Sequence, residues 1–124
     1  MTILATLHDL PTGTPRVDSR RRRIVAEACE YLERNSHRDV TLGELADSVH
    51  VSAFHLHRLF RTVTGVTPHA YVTDVRVAHA RDLLRAGWGV GEVAAAVGYA
   101  SPGHFARVFR ARTGVNPSVY AGLM

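Results

Sequence analysis

The chain has 124 residues, which is long enough for one domain or for two very small ones that share a core. Hydrophobic residues make up 46% and charged residues 21%, as in a folded soluble protein rather than a disordered tail. No apolar stretch approaches the roughly 18 residues of a membrane-spanning helix, the N-terminus lacks a secretory pattern, and the single cysteine excludes a disulfide framework. We therefore expect a cytoplasmic protein without a membrane partner. The net charge of +4, in which every basic residue is Arg, points to an anionic partner only if that charge is concentrated somewhere.

The first 35 residues divide into an irregular part and a helical part. Pro11, Gly13 and Pro15 interrupt residues 1–19, so we expect an arm or linker there. From Ser19 onward, apolar residues recur at helical spacing and predict the first helix. This apolar stripe consists of Ile24, Val25, Ala28, Cys29 and Leu32.

Helix start and stop signals then recur along the chain. Thr41 followed by Glu44 predicts a capping box at the start of a short helix. Ser52 is a candidate N-cap for the next helix, which Gly65 can end. A long helix is predicted from Pro68 to about Ala86, with Tyr71, Val72, Val75, Ala80, Leu83 and Leu84 as its apolar face. The same pairing of a cap with Pro returns at Ser101-Pro102 and Asn116-Pro117. No alternating run predicts a strand, so the fold class is all-α with about seven helices.

The strongest signal is an internal duplication. Residues 52–71 and 101–120 are identical at ten of their twenty aligned positions. The identical pairs are Ser52/Ser101, His55/His104, Arg58/Arg107, Phe60/Phe109, Arg61/Arg110, Thr64/Thr113, Gly65/Gly114, Val66/Val115, Pro68/Pro117 and Tyr71/Tyr120. Upstream, Glu44 pairs with Glu92 once Ala100 is treated as an insertion. A short helix, a turn at His50 or Gly98, and a second helix therefore occur twice, which is the helix-turn-helix layout.

Charge is distributed unequally within each copy. The first helices carry acid, namely Glu44 and Asp47 in copy one and Glu92 in copy two. Residues 52–66 hold two Arg and no acid, and residues 101–114 hold three Arg and no acid. Positive charge thus lies on the helix that this motif inserts into the DNA major groove. A solvated basic face on two ordinary helices is the alternative, and it requires the same coincidence twice.

Residues from about 20 to 124 resemble the DNA-binding domain of the AraC/XylS family. The resemblance is carried by Leu42 through Ala46, Ser52 through Gly65, Pro68 through Tyr71, Val97 through Arg110 and Thr113 through Tyr120. It implies a bacterial transcription regulator with two helix-turn-helix subdomains and a long central helix. We expect an arm at residues 1–19, subdomains at 20–66 and 88–124, and the connecting helix at 67–87. The helix predicted from Pro68 to Ala86 has 19 residues and is roughly 28 Å long, near the 34 Å between successive major-groove segments.

The resemblance implies double-stranded DNA as the partner and, for many members, activation of transcription with contact to RNA polymerase. No sensor domain accompanies the DNA-binding unit in this sequence. The chain is therefore either controlled by its abundance or a fragment of a longer regulator. We expect it to be nucleoid-associated.

The candidate base-reading residues lie early in the two recognition helices. Arg58 and Arg107 occupy matching positions, and the resemblance implies base reading there, since Arg pairs bidentately with guanine. A phosphate contact is the alternative for both. Phe54 and His57 share the outward face of copy one, with a thymine methyl and a base edge or phosphate as targets and simple exposure as the alternative. The matching positions of copy two are Gly103 and Ala106, so copy two should read fewer bases.

The candidate phosphate-binding residues follow on the same helices. Arg61, Arg110 and Arg112 are assigned to phosphate, a contact that positions the protein without specifying sequence. Ser52 and Ser101 lie at helix N-termini, whose backbone N–H groups can bind phosphate. For these two serines, helix capping is the favoured role.

Enzymatic and metal-binding functions find little support. His55 and His57 point to different faces of one helix, and no pair at metal-ligand spacing completes a site. Cys29 on the apolar stripe is most simply a core residue. We therefore expect no catalytic residue, metal or cofactor. Two other functions are alternatives: a fragment of a DNA-repair methyltransferase, which would need a zinc-bound cysteine cluster, and a helical module whose Arg faces bind an acidic protein.

Overall fold

The computed structural model describes residues 15–123, with side chains from Asp18 onward. This part of the chain contains seven helices and no strands, which confirms the predicted all-α class. The helices are α1 (Pro15–Arg34), α2 (Leu42–Ser48), α3 (Ala53–Thr64), α4 (Pro68–Arg85), α5 (Val90–Ala96), α6 (Pro102–Thr113) and α7 (Pro117–Gly122). Helix α1 begins four residues before Ser19, so residues 15–19 of the predicted arm are helical. The rest of that arm lies outside the described residues.

The helices form two compact units. The first holds α1 together with Val40–Tyr71, and the second holds Ser36–Asp39 together with the chain from Val72 onward. Helix α4 begins in the first unit and continues in the second. The segment Ser36–Asp39 belongs to the second unit although it lies between α1 and α2 in the sequence, which no sequence pattern indicated.

The core of the first unit is built from the apolar faces of α1, α2 and α3. The stripe predicted on α1 is buried, with Ile24 at its edge and the remaining four positions at most 2% exposed. Against it lie buried residues of the next two helices: Leu45, Ala46, Val49, Leu56, Leu59, Phe60 and Val63. Tyr71 completes the core, and its ring meets that of Phe60 edge-on with centroids 5.8 Å apart.

The second unit has a core of its own. Its buried residues are Val77, Ala80, Leu84, Val93, Ala94, Val97, Tyr99, Phe105 and Phe109. Aromatic rings run through it, since Phe105 contacts both Tyr99 and Phe109, and Phe109 contacts Tyr120, with centroids 5.5–5.7 Å apart. On α4 the buried face differs from the prediction: Val72, Val75 and Leu83 are only half-buried, whereas Thr73 and Arg76 are buried.

Caps place the helix ends largely where the sequence predicts them. The hydroxyls of Thr41, Ser52, Thr67 and Ser101 each accept a hydrogen bond from the backbone N–H three residues on, at 3.0–3.1 Å. The Glu44 carboxylate of the predicted capping box accepts from the Tyr31 hydroxyl. Asn116 occupies the N-cap of α7 but makes no side-chain cap. Each cap satisfies an N–H that the helix itself leaves unpaired.

Candidate nucleic-acid interface

Two tight turns bring the helices of each copy together. His50 links α2 to α3 with φ at +60°, and Gly98 links α5 to α6 with φ at +107°. His50 is the one non-glycine residue with positive φ in the described chain. Both turns lie at the positions that the sequence predicted. Positive φ is unfavourable for a residue with a side chain, such as His50. Its occurrence at the same point of both copies indicates that the turn requires this backbone conformation.

The predicted reading residues of copy one lie on one exposed face of α3. The Phe54 ring is 72% exposed, an unusual state for a large apolar side chain. The Arg58 guanidinium carbon lies 5.7 Å from the centroid of that ring, within cation–π range. His57 is half-buried beside them, and Arg61 is exposed one turn further along. Phe54 and Arg58 therefore form a pair that faces solvent.

The matching face of α6 carries smaller side chains, with Gly103 and Ala106 in place of Phe54 and His57. Arg107 and Arg110 are exposed, and Ala106 is half-buried. A Cβ added to Gly103 would lie 3.8 Å from an Arg107 guanidinium nitrogen, so Arg107 extends over bare backbone where Arg58 meets an aromatic ring. The two copies thus present Arg at the same positions with different neighbours.

Arg112 is placed differently from the other predicted phosphate residues. Its guanidinium pairs with the Asp74 carboxylate of α4, and both side chains are partly exposed. By contrast, none of Arg58, Arg61, Arg107 and Arg110 forms an ion pair with another described residue. The structure therefore gives Arg112 an acidic partner within its own unit.

Ser52 and Ser101 both act as helix caps. Their hydroxyl oxygens accept from the N–H groups of His55 and His104, each at 3.1 Å. This is the role that the sequence favoured. Both serines are exposed. Their contact with phosphate stays a prediction.

Most of the duplicated identities have structural roles. Thr64 and Thr113 hydroxyls lie 2.7 and 2.8 Å from the carbonyl oxygens of Phe60 and Phe109, four residues before each. The following glycines end their helices with φ at +81° and +86°, and the two Pro residues are buried. Phe60, Phe109 and Tyr71 are core, while Tyr120 packs half-buried against it. The exposed identical pairs that have no such structural role are His55/His104, Arg58/Arg107 and Arg61/Arg110.

Cys29 is part of the core rather than a site. Its side chain is 2% exposed, and burial raises the pKa of the thiol to about 11, with a hydrogen bond to Tyr71 acting in the opposite direction. Burial, together with the hydrogen bond to the Glu33 carboxylate, also raises the pKa of Tyr71. A thiol held in this neutral state is a poor nucleophile. Among the described residues, no group of three or more His, Cys, Asp or Glu side chains is placed to hold a metal ion.

Sequence reasoning missed Arg76, a buried guanidinium in the second unit. Its Nε donates to the Ser36 carbonyl at 2.6 Å, and its Cζ lies 5.0 Å from the Tyr99 ring centroid. The available signal was weak: an Arg inside the apolar stripe of α4, at a position where the helical period requires a buried residue.

Two copies of a short helix, a tight turn and an Arg-bearing second helix define a helix-turn-helix DNA-binding domain. A family model described as a helix-turn-helix domain matches residues 45–122. The chain belongs to this family. Solved structures similar to the chain include AraC-type transcriptional regulators. No helix in the described part of the chain is long and apolar enough to cross a membrane.

Solved structures share the fold. A probable AraC family transcriptional regulator from Rhodopseudomonas palustris is 31% identical, with a TM-score of 0.73 over 81% of this chain and 95% of that one. The DNA-binding domain of AdpA, solved in complex with a target DNA, is 29% identical, with a TM-score of 0.74 over 80% of this chain and 90% of that one.

A curated relative is much longer than the region it shares. The bifunctional transcriptional activator and DNA repair enzyme AdaA of Bacillus subtilis is 36% identical over 77 residues, which is 61% of this chain and 36% of that protein. The chain thus spans about a third of the relative's length. The chain contains a helix-turn-helix DNA-binding domain of the AraC type.

Proposed function

We propose that the protein binds a specific double-stranded DNA site by placing α3 and α6 in two adjacent major grooves. The observation that carries this proposal is the exposed Arg face that recurs on both helices, without acid and at the same positions of the repeat. Phosphates attract such a face, and base edges in the major groove offer Arg its bidentate partner. AdpA, of similar fold, was solved with its target DNA, which supports the same partner here.

The length of the connecting helix is comparable to the spacing of major-groove segments. Helix α4 has 18 residues and is therefore about 27 Å long, against about 34 Å between successive major-groove segments on one side of B-DNA. We infer that one chain binds two half-sites about one helical turn apart, as a helix-turn-helix dimer does.

The two half-sites are read unequally in this proposal. Arg58 reads a guanine, with Phe54 against a thymine methyl and His57 at a base edge or phosphate. Arg107 reads a guanine alone, because Gly103 and Ala106 offer no polar side chain. Phosphate contacts come from Arg61 and Arg110 and from the helix N-termini at Ser52 and Ser101, with Arg112 in a lesser role because Asp74 already neutralises it.

The regulatory outcome is proposed to be activation through RNA polymerase. The name of the Staphylococcus xylosus relative, lactose operon transcription activator, supports this direction; it is 29% identical over 77% of this chain and 35% of that protein. We further propose a cytoplasmic, nucleoid-associated protein that performs no catalysis. If the chain is part of a longer regulator, a sensor domain would supply its signal.

Selection of bound sites from a random duplex pool tests the proposal directly. We expect a site of about two helical turns with two unequal halves. Binding to that site should weaken steeply with salt yet remain stronger than binding to random duplex. No enrichment, or equal affinity for every duplex, would contradict sequence-specific binding and favour an acidic protein partner.

A further inference from the structure

Arg76 is a charged side chain that the proposed DNA contacts do not use. It lies on α4 within the second unit, and the residue is only 9% exposed. A guanidinium removed from water needs hydrogen-bond acceptors, because unsatisfied burial of a charge is costly. The identity of those acceptors indicates what Arg76 does.

The acceptors are mainly backbone carbonyls from Ser36–Asp39, the short segment that belongs to the second unit. Arg76 Nε donates to the Ser36 carbonyl at 2.6 Å, and Nη2 donates to the Arg38 carbonyl at 3.0 Å. The Asp39 carboxylate lies 3.4 Å from Nη2, but its side chain is 99% exposed, so it contributes little. The planar fork of Arg fits two carbonyls at once, which the ammonium of Lys cannot do in the same geometry.

The other neighbours of Arg76 form the turn of the second helix-turn-helix. The Tyr99 ring centroid lies 5.0 Å from Arg76 Cζ. A Cβ added to Gly98 would come within 2.9 Å of the His37 carbonyl oxygen and 3.0 Å of Arg76 Cζ. The turn therefore packs directly against Arg76 and against the Ser36–Asp39 segment whose carbonyls Arg76 binds.

From this turn, contacts continue into the recognition helix α6. The Tyr99 ring meets His104 edge-on at 5.3 Å and Phe105 at 5.7 Å between centroids. Phe105 is fully buried, and Arg107 follows it by two residues. A fixed Tyr99 therefore holds the first turn of the helix that carries Arg107.

Among the described residues of the first unit, no charged side chain is buried as Arg76 is. The helix before the first motif, α1, instead buries the apolar stripe that includes Val25, Ala28 and Leu32. The offset of 48 residues that pairs Glu44 with Glu92 places Val51 opposite Tyr99. The duplicated motif is thus held in two different ways, by apolar packing in copy one and by a guanidinium in copy two.

We propose that Arg76 is a positioning residue for α6. By binding the carbonyls of Ser36 and Arg38 and packing against Tyr99, it fixes the Gly98–Tyr99 turn and the direction in which α6 leaves it. The consequence for DNA rests on the proposed function, whereas the consequence for the turn concerns the free protein. The two consequences are tested separately.

Amide hydrogen exchange of the free protein tests the turn. In Arg76→Met, exchange should accelerate roughly tenfold or more at residues 98–105, because several hydrogen bonds to a charged group are lost. Exchange at residues 50–57, the matching segment of copy one, should stay unchanged. The control Arg85→Met removes the same charge from an exposed position of α4 and should leave both segments unchanged.

The outcome that overturns the proposal is equal acceleration in both segments, or none in either. Arg76→Lys keeps the charge and loses the fork, and it should give the same local acceleration as Arg76→Met. If Arg76→Met does not fold, Arg76→Lys decides by the same criterion.

Base discrimination in the selected DNA site tests the consequence for binding. The second half-site is defined as the half whose preference is lost in Arg107→Ala. Arg76→Lys should reduce discrimination there about tenfold, as expected for one misplaced bidentate contact, and leave discrimination at the first half-site intact. If Arg76→Lys only lowered the fraction of active protein, base discrimination would stay unchanged at both half-sites. That result would overturn the proposal. If the natural chain shows no sequence preference, the proposed function fails, and the exchange experiment still decides the role of Arg76.

Discussion

At the scale of single residues, the environment separates Arg side chains that the sequence alone cannot distinguish. Arg58 is exposed beside an exposed ring, Arg112 pairs with Asp74, and Arg76 is buried against backbone carbonyls. An exposed guanidinium is free to meet an anion, whereas one with acceptors in the fold must first give them up. All three residues are Arg, but they differ in whether the guanidinium can bind a further anion.

Arg58→Ala should weaken binding to the selected site by about 1–3 kcal/mol and remove the preference at one base pair, because a bidentate contact to guanine is lost. Competition binding with duplexes that vary at each position measures this. Arg34→Ala, which removes an exposed Arg from α1, is the matched control and should keep the preference. An unchanged preference in Arg58→Ala would show that Arg58 does not read a base.

Arg61→Ala should weaken binding to every duplex alike, because a phosphate contact carries no sequence information. The slope of log affinity against log salt concentration should fall by about one. Arg110→Ala should behave in the same way, since it occupies the matching exposed position of copy two. Binding measured from low to moderate salt checks both variants, and an unaltered slope would argue against a phosphate contact.

Titration of Cys29 should make the protein less stable at alkaline pH. The folded state holds the thiol proton more tightly than the unfolded state, since burial raises the pKa from 9.0 to about 11. The free energy of unfolding should therefore stay level below pH 9 and fall as the pH rises through 11. Urea unfolding at pH 8 and pH 10 measures this, and Cys29→Ala should lose part of the pH dependence. An identical pH dependence in Cys29→Ala would mean that other groups, such as Tyr71, account for all of it.

At the scale of helices and turns, the duplicated motif is conserved in geometry but not in its contacts. Both copies begin the second helix with a Ser cap and end it with a left-handed Gly. The turns before that helix differ, since His50 adopts φ +60° and Gly98 adopts φ +107°. The first value lies in the left-handed region that side chains tolerate at a cost, whereas the second is accessible chiefly to glycine.

Gly98→Ala should destabilise the protein more than Gly114→Ala. Both have positive φ, but a Cβ at Gly114 meets no atom within 4 Å, whereas one at Gly98 collides with the His37 carbonyl. Gly114→Ala should cost about 1–2 kcal/mol from backbone strain alone. Gly98→Ala should exceed that value in urea unfolding, and equal costs would show that the close approach at Gly98 is relieved easily.

At the scale of the whole molecule, a modest net charge hides an alternation along the chain. The supporting helices carry acid, and the exposed pairs Arg58/Arg107 and Arg61/Arg110 lie on α3 and α6. Each of the two units has its own core, with α4 continuing from one to the other. The exposed Arg residues are therefore concentrated on matching helices of two separately packed units.

Inserting about five base pairs between the two half-sites should reduce binding to that of a single half-site. Half a helical turn places the second half-site on the opposite side of the duplex, out of the register that the proposed binding to adjacent grooves requires. Inserting a full turn should not restore binding, because the two half-sites then no longer lie in adjacent major-groove segments. Affinity measured on the spaced duplexes tests this, and tolerance of the half-turn insertion would argue against a fixed spacing.

The helices and caps were predictable because their signals are local. Ser52, Ser101, Gly65 and Gly114 act within one turn of their own positions, and the apolar stripe of α1 follows from the helical period alone. The start of α1 was less predictable, since Pro15 is equally compatible with a linker and with a first helical position. The recurrence of Arg58 and Arg61 as Arg107 and Arg110 was likewise visible as a repeat.

Periodicity, caps and charge are properties of short segments, so the amino-acid sequence is enough to predict the all-α class, the duplicated helix-turn-helix and the concentration of Arg on each second helix. The packing of the folded chain, by contrast, leaves some Arg residues exposed, pairs Arg112 with Asp74 and buries Arg76. It also places Ser36–Asp39 in the second unit and Arg76 against its carbonyls. Such contacts join residues about 40 positions apart, and no local pattern encodes a partner at that distance.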